Sequence, residues 1–394
     1  MSDSKSLAGY VDGDSVRDLL RSMIRAASVN PPGWERECAE VVAEKLRGLG
    51  LEVDLVEKEL GRTNVVARLR GTRGSPILLY NGHIDVVPAG NGWSRDPFGG
   101  EISEGRLYGR GAADMKSGVA SMVAAAEAIV KSGARLRGDL ILTAVADEET
   151  GSLKGTRHLI EGGLKADMAV VSEPTDLRVE IAHKGILWAE ITTRGRGSHA
   201  SRPHLGVNAV DKMHAVIGAL HEIKLDGWNG LFDVPQPVLS VTTINGGTKI
   251  NVIPDLCKIE IDRRLLPSET PEAAMQQIRE AINRVKGRDP DLDASIRVLE
   301  EWPPMQVSPD EPIVKSLIGV VEDRTGVRPK MFGKAAGTDA SWLVRDAGIP
   351  TVLYGPGDPR LSHTPDEYVE LEKVTEAARV FAVLAADVLG IESG

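Results

Sequence analysis

Segments carrying His and acidic residues lie on both sides of a self-contained βαββαβ pattern, and this interruption constrains the chain more than any other feature. Between about Gly185 and Trp302 the order reads strand (Ile186 to Thr193), helix (Val207 to Ile223), strand (Val238 to Ile244), strand (Cys257 to Ile261), helix (Pro271 to Val285) and strand (Ala294 to Leu299). In the first helix Val207, Val210, Met213, Val216, Ile217, Leu220 and Ile223 fall on one stripe, so one face is expected to be buried. The simplest architecture is a larger domain interrupted by a smaller one. Its site then forms only when distant parts of the chain close on each other.

The flanking parts alternate between helical and strand patterns. Glu35 to Leu49 reads as a helix closed by Gly50, Ile77 to Tyr80 as a strand, Met115 to Lys131 as an Ala-rich helix, and Leu140 to Ala146 and Ala169 to Val171 as strands. Such alternation predicts an α/β domain with a largely parallel sheet. A length of 394 residues favours two domains.

The net charge of -10, without a Lys/Arg-dense stretch, leaves no footprint for a phosphate backbone, so nucleic acid is not an expected partner. The polar Met1 to Gly13 segment and the lack of an apolar run of about 18 residues lead us to expect a cytoplasmic protein without a membrane anchor. Cys38 and Cys257 stand alone and far apart, matching neither a disulfide framework nor a thiolate zinc site. A metal would have to be held by His and carboxylates.

Five segments offer such groups. Asn81-Gly82-His83-Ile84-Asp85 follows a strand, and residues two apart point the same way in extended backbone, so one can ligate while the other orients it; by itself His-x-Asp is equally a turn. Asp114 ends a glycine-rich loop before the Ala-rich helix, where it is a metal ligand or simply an N-cap. Asp147, Glu148 and Glu149 close a strand, and their mutual repulsion would call for cations unless the loop is solvated. Adjacent glutamates on a strand end diverge, so Glu149 can ligate while Glu148 takes a proton from water. Glu173 also ends a strand, and His363 lies in a late loop where the alternative is a surface histidine. Ligands in open α/β sheets gather at the carboxyl ends of strands. Two His and three carboxylates, one of them bridging, make the N/O donor set of a pair of zinc, cobalt or manganese ions.

The ordered motifs NGHIDVVP (81–88), GRGAADMKSG (109–118), ADEETGS (146–152), SEPT (172–175) and SHTPDEYV (362–369) resemble the zinc amidohydrolase and exopeptidase family of acetylornithine deacetylase, succinyl-diaminopimelate desuccinylase, aminoacylase and glutamate carboxypeptidase. The resemblance spans almost the whole chain. It implies a zinc-exopeptidase-like α/β catalytic domain with a mixed central sheet (1–184 and 302–394), interrupted by a ferredoxin-like α+β lid (185–301) used for homodimerisation. It also implies two divalent ions, zinc first and cobalt or manganese as alternatives. One would be held by His83, Asp114 and Glu173 and the other by Asp114, Glu149 and His363, with Asp85 orienting His83 and Glu148 as general base.

For the substrate, the resemblance implies that His199 in Gly197-Ser198-His199 reaches the carbonyl, commonly from the partner subunit, and that Asn251 and Arg263 bind a carboxylate. Gly337 and Thr338 belong to a late substrate loop. The bland alternatives are a capping role for His199 and a solvated Arg263 paired with Glu260 or Asp262. The desuccinylases carry an extra Ser between the Thr and Asp of that loop, which this chain lacks. The implied reaction is hydrolysis of the amide of a small N-acyl amino acid, or of a dipeptide. A non-catalytic binding protein is the rival from another class, opposed by the intact Glu148, Asp85 and ligand set. A nucleotide-dependent enzyme is opposed by the absence of a P-loop or Gly-x-Gly-x-x-Gly before a helix.

Overall fold

The structure is a computed structural model describing residues 4–392. Residues 1–3 and 393–394, at the ends of the expected catalytic domain, and the start of the polar Met1 to Gly13 segment lie outside the described residues. The chain forms two compact units, one of residues 1–182, 307–332 and 338–394, the other of 183–306 and 333–337. Among the described residues no helix is long and apolar enough to cross a membrane.

The first unit is built on a mixed sheet. Ile77–His83 pairs in parallel with Asp139–Val145 on one side and Met168–Val171 on the other, and Thr351–Leu353 continues the parallel run. Both flanks are antiparallel: Glu52–Glu57 and Thr63–Leu69 on one side, Val179–His183 on the other. The expectation of a largely parallel sheet therefore holds only for its centre, where continuous apolar runs are buried on both faces. Asp139–Val145 is buried at every position. The short connection from Glu57 to Thr63 makes a hairpin, which joins antiparallel strands without a crossover.

Helix Lys116–Ser132 lies almost wholly in the core, and Leu371–Leu389 buries one broad face of its length there. Their alanines permit close approach. At Gly118 a Cβ would stand 2.2 Å from the Ser172 carbonyl oxygen, so only glycine allows this helix so near the end of the Met168–Val171 strand. The helix closes at Gly133, which adopts the left-handed conformation (φ 70) typical of such ends.

The second unit has a four-stranded antiparallel sheet. Gly185–Arg194 is flanked by Leu256–Leu265 and Asp293–Trp302, with Val238–Gly246 on the outer edge. Helices Ala209–His221 and Pro271–Arg288 fall between strands in chain order and pack on one face. Met213, Val216, Leu220, Val210, Ile217 and Ile223 join that core. Val207 does not belong to the helix: it pairs with Arg196, Asn208 caps the helix by accepting N–H bonds from Val210 and Asp211, and Ala209 takes the first buried place.

Candidate metal centre

The site of the first unit draws on the carboxyl ends of two central strands and on three turns. His83 is the last residue of its strand and 1% exposed. Its Nδ1–H donates to the Asp85 carbonyl oxygen at 2.9 Å, which turns Nε2 towards Asp114 Oδ1 at 3.2 Å, with Glu148 Oε2 and Glu173 Oε1 each at 3.8 Å. Asp85 thus orients His83 through its backbone. Its carboxylate stands 3.6 Å from Nδ1 and instead accepts from Asn30 Nδ2 at 2.8 Å and from the N–H groups of Glu148 and Glu149 at 3.1 Å each. The carboxylate organises the glutamate turn.

That turn differs from the expected strand end. The strand stops at Val145, Asp147 adopts a left-handed conformation (φ 68), and Glu148–Thr150 form a short 3-10 turn, so the two glutamates diverge because the chain coils. Asp147 holds the coil by accepting from Thr150 Oγ1 at 2.9 Å and the Lys154 N–H at 3.0 Å. Buried Arg62 grips Asp147 at 2.8 Å and Glu35 at 2.7 and 2.8 Å, which fixes the turn from behind.

Asp114 is not the N-cap of the following helix, a position Met115 occupies without a side-chain bond. Its carboxylate lies between two imidazoles: Oδ1 faces His83, while Oδ2 is 3.6 Å from His363 Nε2. His363 Nε2 is also 3.2 Å from Glu149. Its backbone is left-handed (φ 64), a conformation non-glycine residues adopt only under local constraint. Within the region, His83, Asp114 and Glu149 form one group of potential ligand atoms within 4.8 Å, and His83, Glu148 and Glu173 form another.

Burial and mutual charge shape the electrostatics of the cluster. Burial pushes the carboxyl of Glu148 well above the usual range and also raises that of Glu149. Burial alone would lower His83, yet the charges of Glu148, Asp114 and Asp85 hold it well above an ordinary imidazole. His363, chiefly through its bond to Glu149, is raised to about 9.

Several residues of this region escape a reading of the sequence. Asp339 is buried and accepts from Ser152 Oγ, Thr156 Oγ1 and Asn81 Nδ2, beneath the Glu148 turn. Glu367, also buried, accepts N–H bonds from Gly111, Ala113 and Asp114 and pairs with Arg110; burial raises it to about 7. Asn30, Glu35 and Arg62 carry no sequence signal, whereas Glu367 lies within SHTPDEYV and Asp339 directly follows Thr338 of the late loop.

Of the expected substrate residues, Thr338 lies in the first unit, where its hydroxyl and carbonyl accept from Ala340 and Ser341 and start the helix Ala340–Arg345. Gly337, at the edge of the second unit, would place a Cβ 3.0 Å from the Trp302 side chain. His199 and Asn251 are exposed neighbours there, joined by the Ala200 N–H to Asn251 carbonyl bond at 3.0 Å. The Ser201 N–H lies 3.2 Å and the Ser201 Oγ 2.8 Å from His199 Nδ1, which leaves Nε2 without a partner within the His199–Ser201 turn.

Arg263 is not the solvated strand residue of the bland alternative. It is 1% exposed, on the helix-facing side of its strand with Ile259 and Ile261, and its guanidinium is taken by Glu269 and the Arg264 carbonyl. It is neither solvated nor open to a substrate carboxylate unless Glu269 is displaced. Arg264, on the opposite face, pairs with Asp262.

Comparison with known proteins accords with this geometry. Residues 79–387 match the model of peptidase family M20/M25/M40. The chain is 31% identical over 394 residues to N-formyl-4-amino-5-aminomethyl-2-methylpyrimidine deformylase of Bacillus subtilis (strain 168), covering 92% of each chain. It is 34% identical over 330 residues to acetylornithine deacetylase of Proteus mirabilis (strain HI4320), covering 82% of each. In fold it resembles the M20 family metallo-carboxypeptidase Sso-CP2 from Sulfolobus solfataricus, with a TM-score of 0.78 at 20% identity, covering 93% of this chain and 97% of that one. With a family model spanning most of its length and the acid and imidazole cluster inside the matched region, the chain belongs to peptidase family M20/M25/M40, whose members are metal-dependent hydrolases of amide and peptide bonds.

Proposed function

We propose that this protein hydrolyses the amide bond of a small N-acyl amino acid, with His83, Asp114, Glu149, Glu173 and His363 holding two divalent ions, zinc first and cobalt or manganese as alternatives. The observation that carries this reading is Asp114, whose two oxygens each face a different imidazole nitrogen, at 3.2 and 3.6 Å. A carboxylate so placed is suited to bridge. Buried acids with raised proton affinity and a donor set without thiolate also favour hard or borderline cations. When bound, such ions polarise the scissile carbonyl and lower the pKa of water towards neutrality.

Glu148 faces the cluster from the coil that Asp85 holds, and the ligand assignment leaves its carboxylate unspent. It takes the proton from the attacking water and delivers it to the departing amine. Asp85 keeps both glutamates in place through their N–H groups. His199, whose Nδ1 is engaged by Ser201, presents Nε2 for donation to a developing oxyanion. Thr338 and Gly337 shape the loop beside Asp339, and Asn251 remains the exposed candidate for binding a substrate carboxylate. Arg263 keeps that role only if Glu269 gives way.

An acyl substrate is favoured over a dipeptide because the two sequence relatives are named for removing an acetyl and a formyl group. The peptidase reading rests on the family's description and on a fold likeness at 20% identity. A cytoplasmic homodimer through the second unit completes the proposal, supported by the outer strand Val238–Gly246, whose unpaired edge and exposed Ile244 suit pairing with a second copy. The test is hydrolysis of acetyl, formyl and succinyl amino acids and dipeptides by metal-stripped protein, with and without added zinc, cobalt or manganese. Metal-restored turnover of an acyl amino acid supports the reading. Turnover confined to dipeptides overturns the substrate class, and hydrolysis indifferent to metal overturns the mechanism.

A further inference from the structure

The two halves of the proposed centre are framed in different ways. His83 ends a central strand, and Glu173 follows the neighbouring strand Met168–Val171, so the sheet fixes the spacing of their backbones. Asp114 and His363 lie in turns separated by more than two hundred residues of chain, and neither belongs to a regular helix or strand. Something other than the sheet must bring those two turns into register.

We propose that Glu367 is the positioning residue that clasps these two turns and thereby sets the site of one ion, the one held by Asp114, Glu149 and His363. This rests on the ligand assignment proposed above. Glu367 lies four residues after His363 and is fully buried. Its Oε1 accepts from the N–H groups of Gly111, Ala113 and Asp114 at 3.1, 2.8 and 3.1 Å, so one oxygen gathers the loop ending at Asp114. Its own carbonyl accepts from the Gly109 N–H at 2.9 Å, which fastens the start of the same loop.

Arg110, from that loop, completes the clasp. It donates to Glu367 Oε2 and reaches the Thr364 carbonyl, next to His363, at 3.3 Å. Its other Nη atom donates to the Ala89 carbonyl at 3.1 Å, on the segment beyond His83 and Asp85. The turn after His363 is further tied by Asp366, which accepts from Ser94 N–H and Oγ. These bonds hold His363 in its left-handed backbone and keep its Nε2 3.6 Å from Asp114 Oδ2. Glu367 touches no substrate in this account.

The test is cobalt(II) binding by full-length protein, followed by equilibrium dialysis and by the visible absorption of the ion, for the wild type, Glu367→Gln and a control, Glu127→Gln. Glu127 is another buried carboxylate with several polar partners, remote from the cluster. The expected result is two ions for the wild type and the control. In Glu367→Gln the oxygen that pairs with Arg110 becomes an amide donor, so the ion held with His363 should bind about 10–100-fold more weakly, and the other, which shares only the bridging Asp114 and keeps His83 and Glu173, should weaken less. If circular dichroism shows that Glu367→Gln does not fold, Arg110→Met is read the same way and should show the same loss at one site. Two unchanged ions, or equal weakening of both, overturns the clasp while leaving the ligand assignment standing. Fewer than two ions on the wild type overturns both.

Discussion

Replacing Arg62 with Met would leave Glu35 and Asp147 buried without a cation. Arg62 is 3% exposed and Glu35 is fully buried, and the guanidinium donates to Glu35 at 2.7 and 2.8 Å and to Asp147 at 2.8 Å. Met fills much of the space but carries no charge. Removing one partner of a buried ion pair costs about 3–5 kcal/mol, because the remaining charge stays desolvated. Here two acids lose the same partner, so the loss belongs near the top of that range, about 5 kcal/mol. At about 2 °C per kcal/mol for a large domain, the melting temperature of metal-free protein falls by roughly 10 °C. Urea denaturation supplies the free energy, and a cycle with Glu35→Gln supplies the coupling. The double variant should be several kcal/mol less destabilised than the sum of the two single variants. A loss below about 1 kcal/mol for Arg62→Met, or strict additivity in the cycle, would refute the claim that this cation compensates the buried acids.

Two further outcomes follow from the same structure. Arg263→Ala should destabilise the second unit by about 1.5–3 kcal/mol, through loss of the buried guanidinium's bonds to the half-buried Glu269 and the Arg264 carbonyl, whereas Arg264→Ala, losing a more exposed pair with Asp262, should cost about 1 kcal/mol or less in urea denaturation; a change in KM without loss of stability for Arg263→Ala would return that residue to the substrate. Burial opposes ionisation of Glu127, but its bonds from Ser15, Lys131 and Lys45 outweigh burial and hold its carboxyl below the ordinary value of 4.5. A depressed pKa contributes stability that is present above about 4.5 and lost as pH falls through the folded-state value. The stability gap between wild type and Glu127→Gln should therefore be full at pH 7 and shrink steadily below pH 4.5, and a gap that does not depend on pH would contradict this.

The sequence made the apolar framework legible. Strand patterns at Ile77 to Tyr80, Leu140 to Ala146 and Ala169 to Val171 correspond to observed strands Ile77–His83, Asp139–Val145 and Met168–Val171, because a buried central strand is a run of apolar residues whatever its partners. Strand direction was less legible. A hairpin such as Glu57 to Thr63 reverses the chain through a short loop that hydrophobic pattern does not encode. The residues brought together at the cluster stood out as His and acids at strand ends and loops. Their supports did not, since Asn30, Arg62, Asp339 and Glu367 act through polar contacts to groups tens or hundreds of positions away. The solvated alternative for Arg263 fails for a local reason: strand alternation after Ile259 and Ile261 assigns it to the buried face.

The most direct test of the account is a single comparison of Glu148→Gln with wild type, in which bound divalent ions per chain and kcat on the best acyl amino acid are measured on the same samples. Two ions per chain in both proteins, with kcat lowered about 10²–10⁴-fold in the variant, is the predicted result, because Glu148 moves a proton without holding an ion. Unchanged turnover would contradict its role, and loss of an ion from Glu148→Gln would make Glu148 a ligand instead of the base.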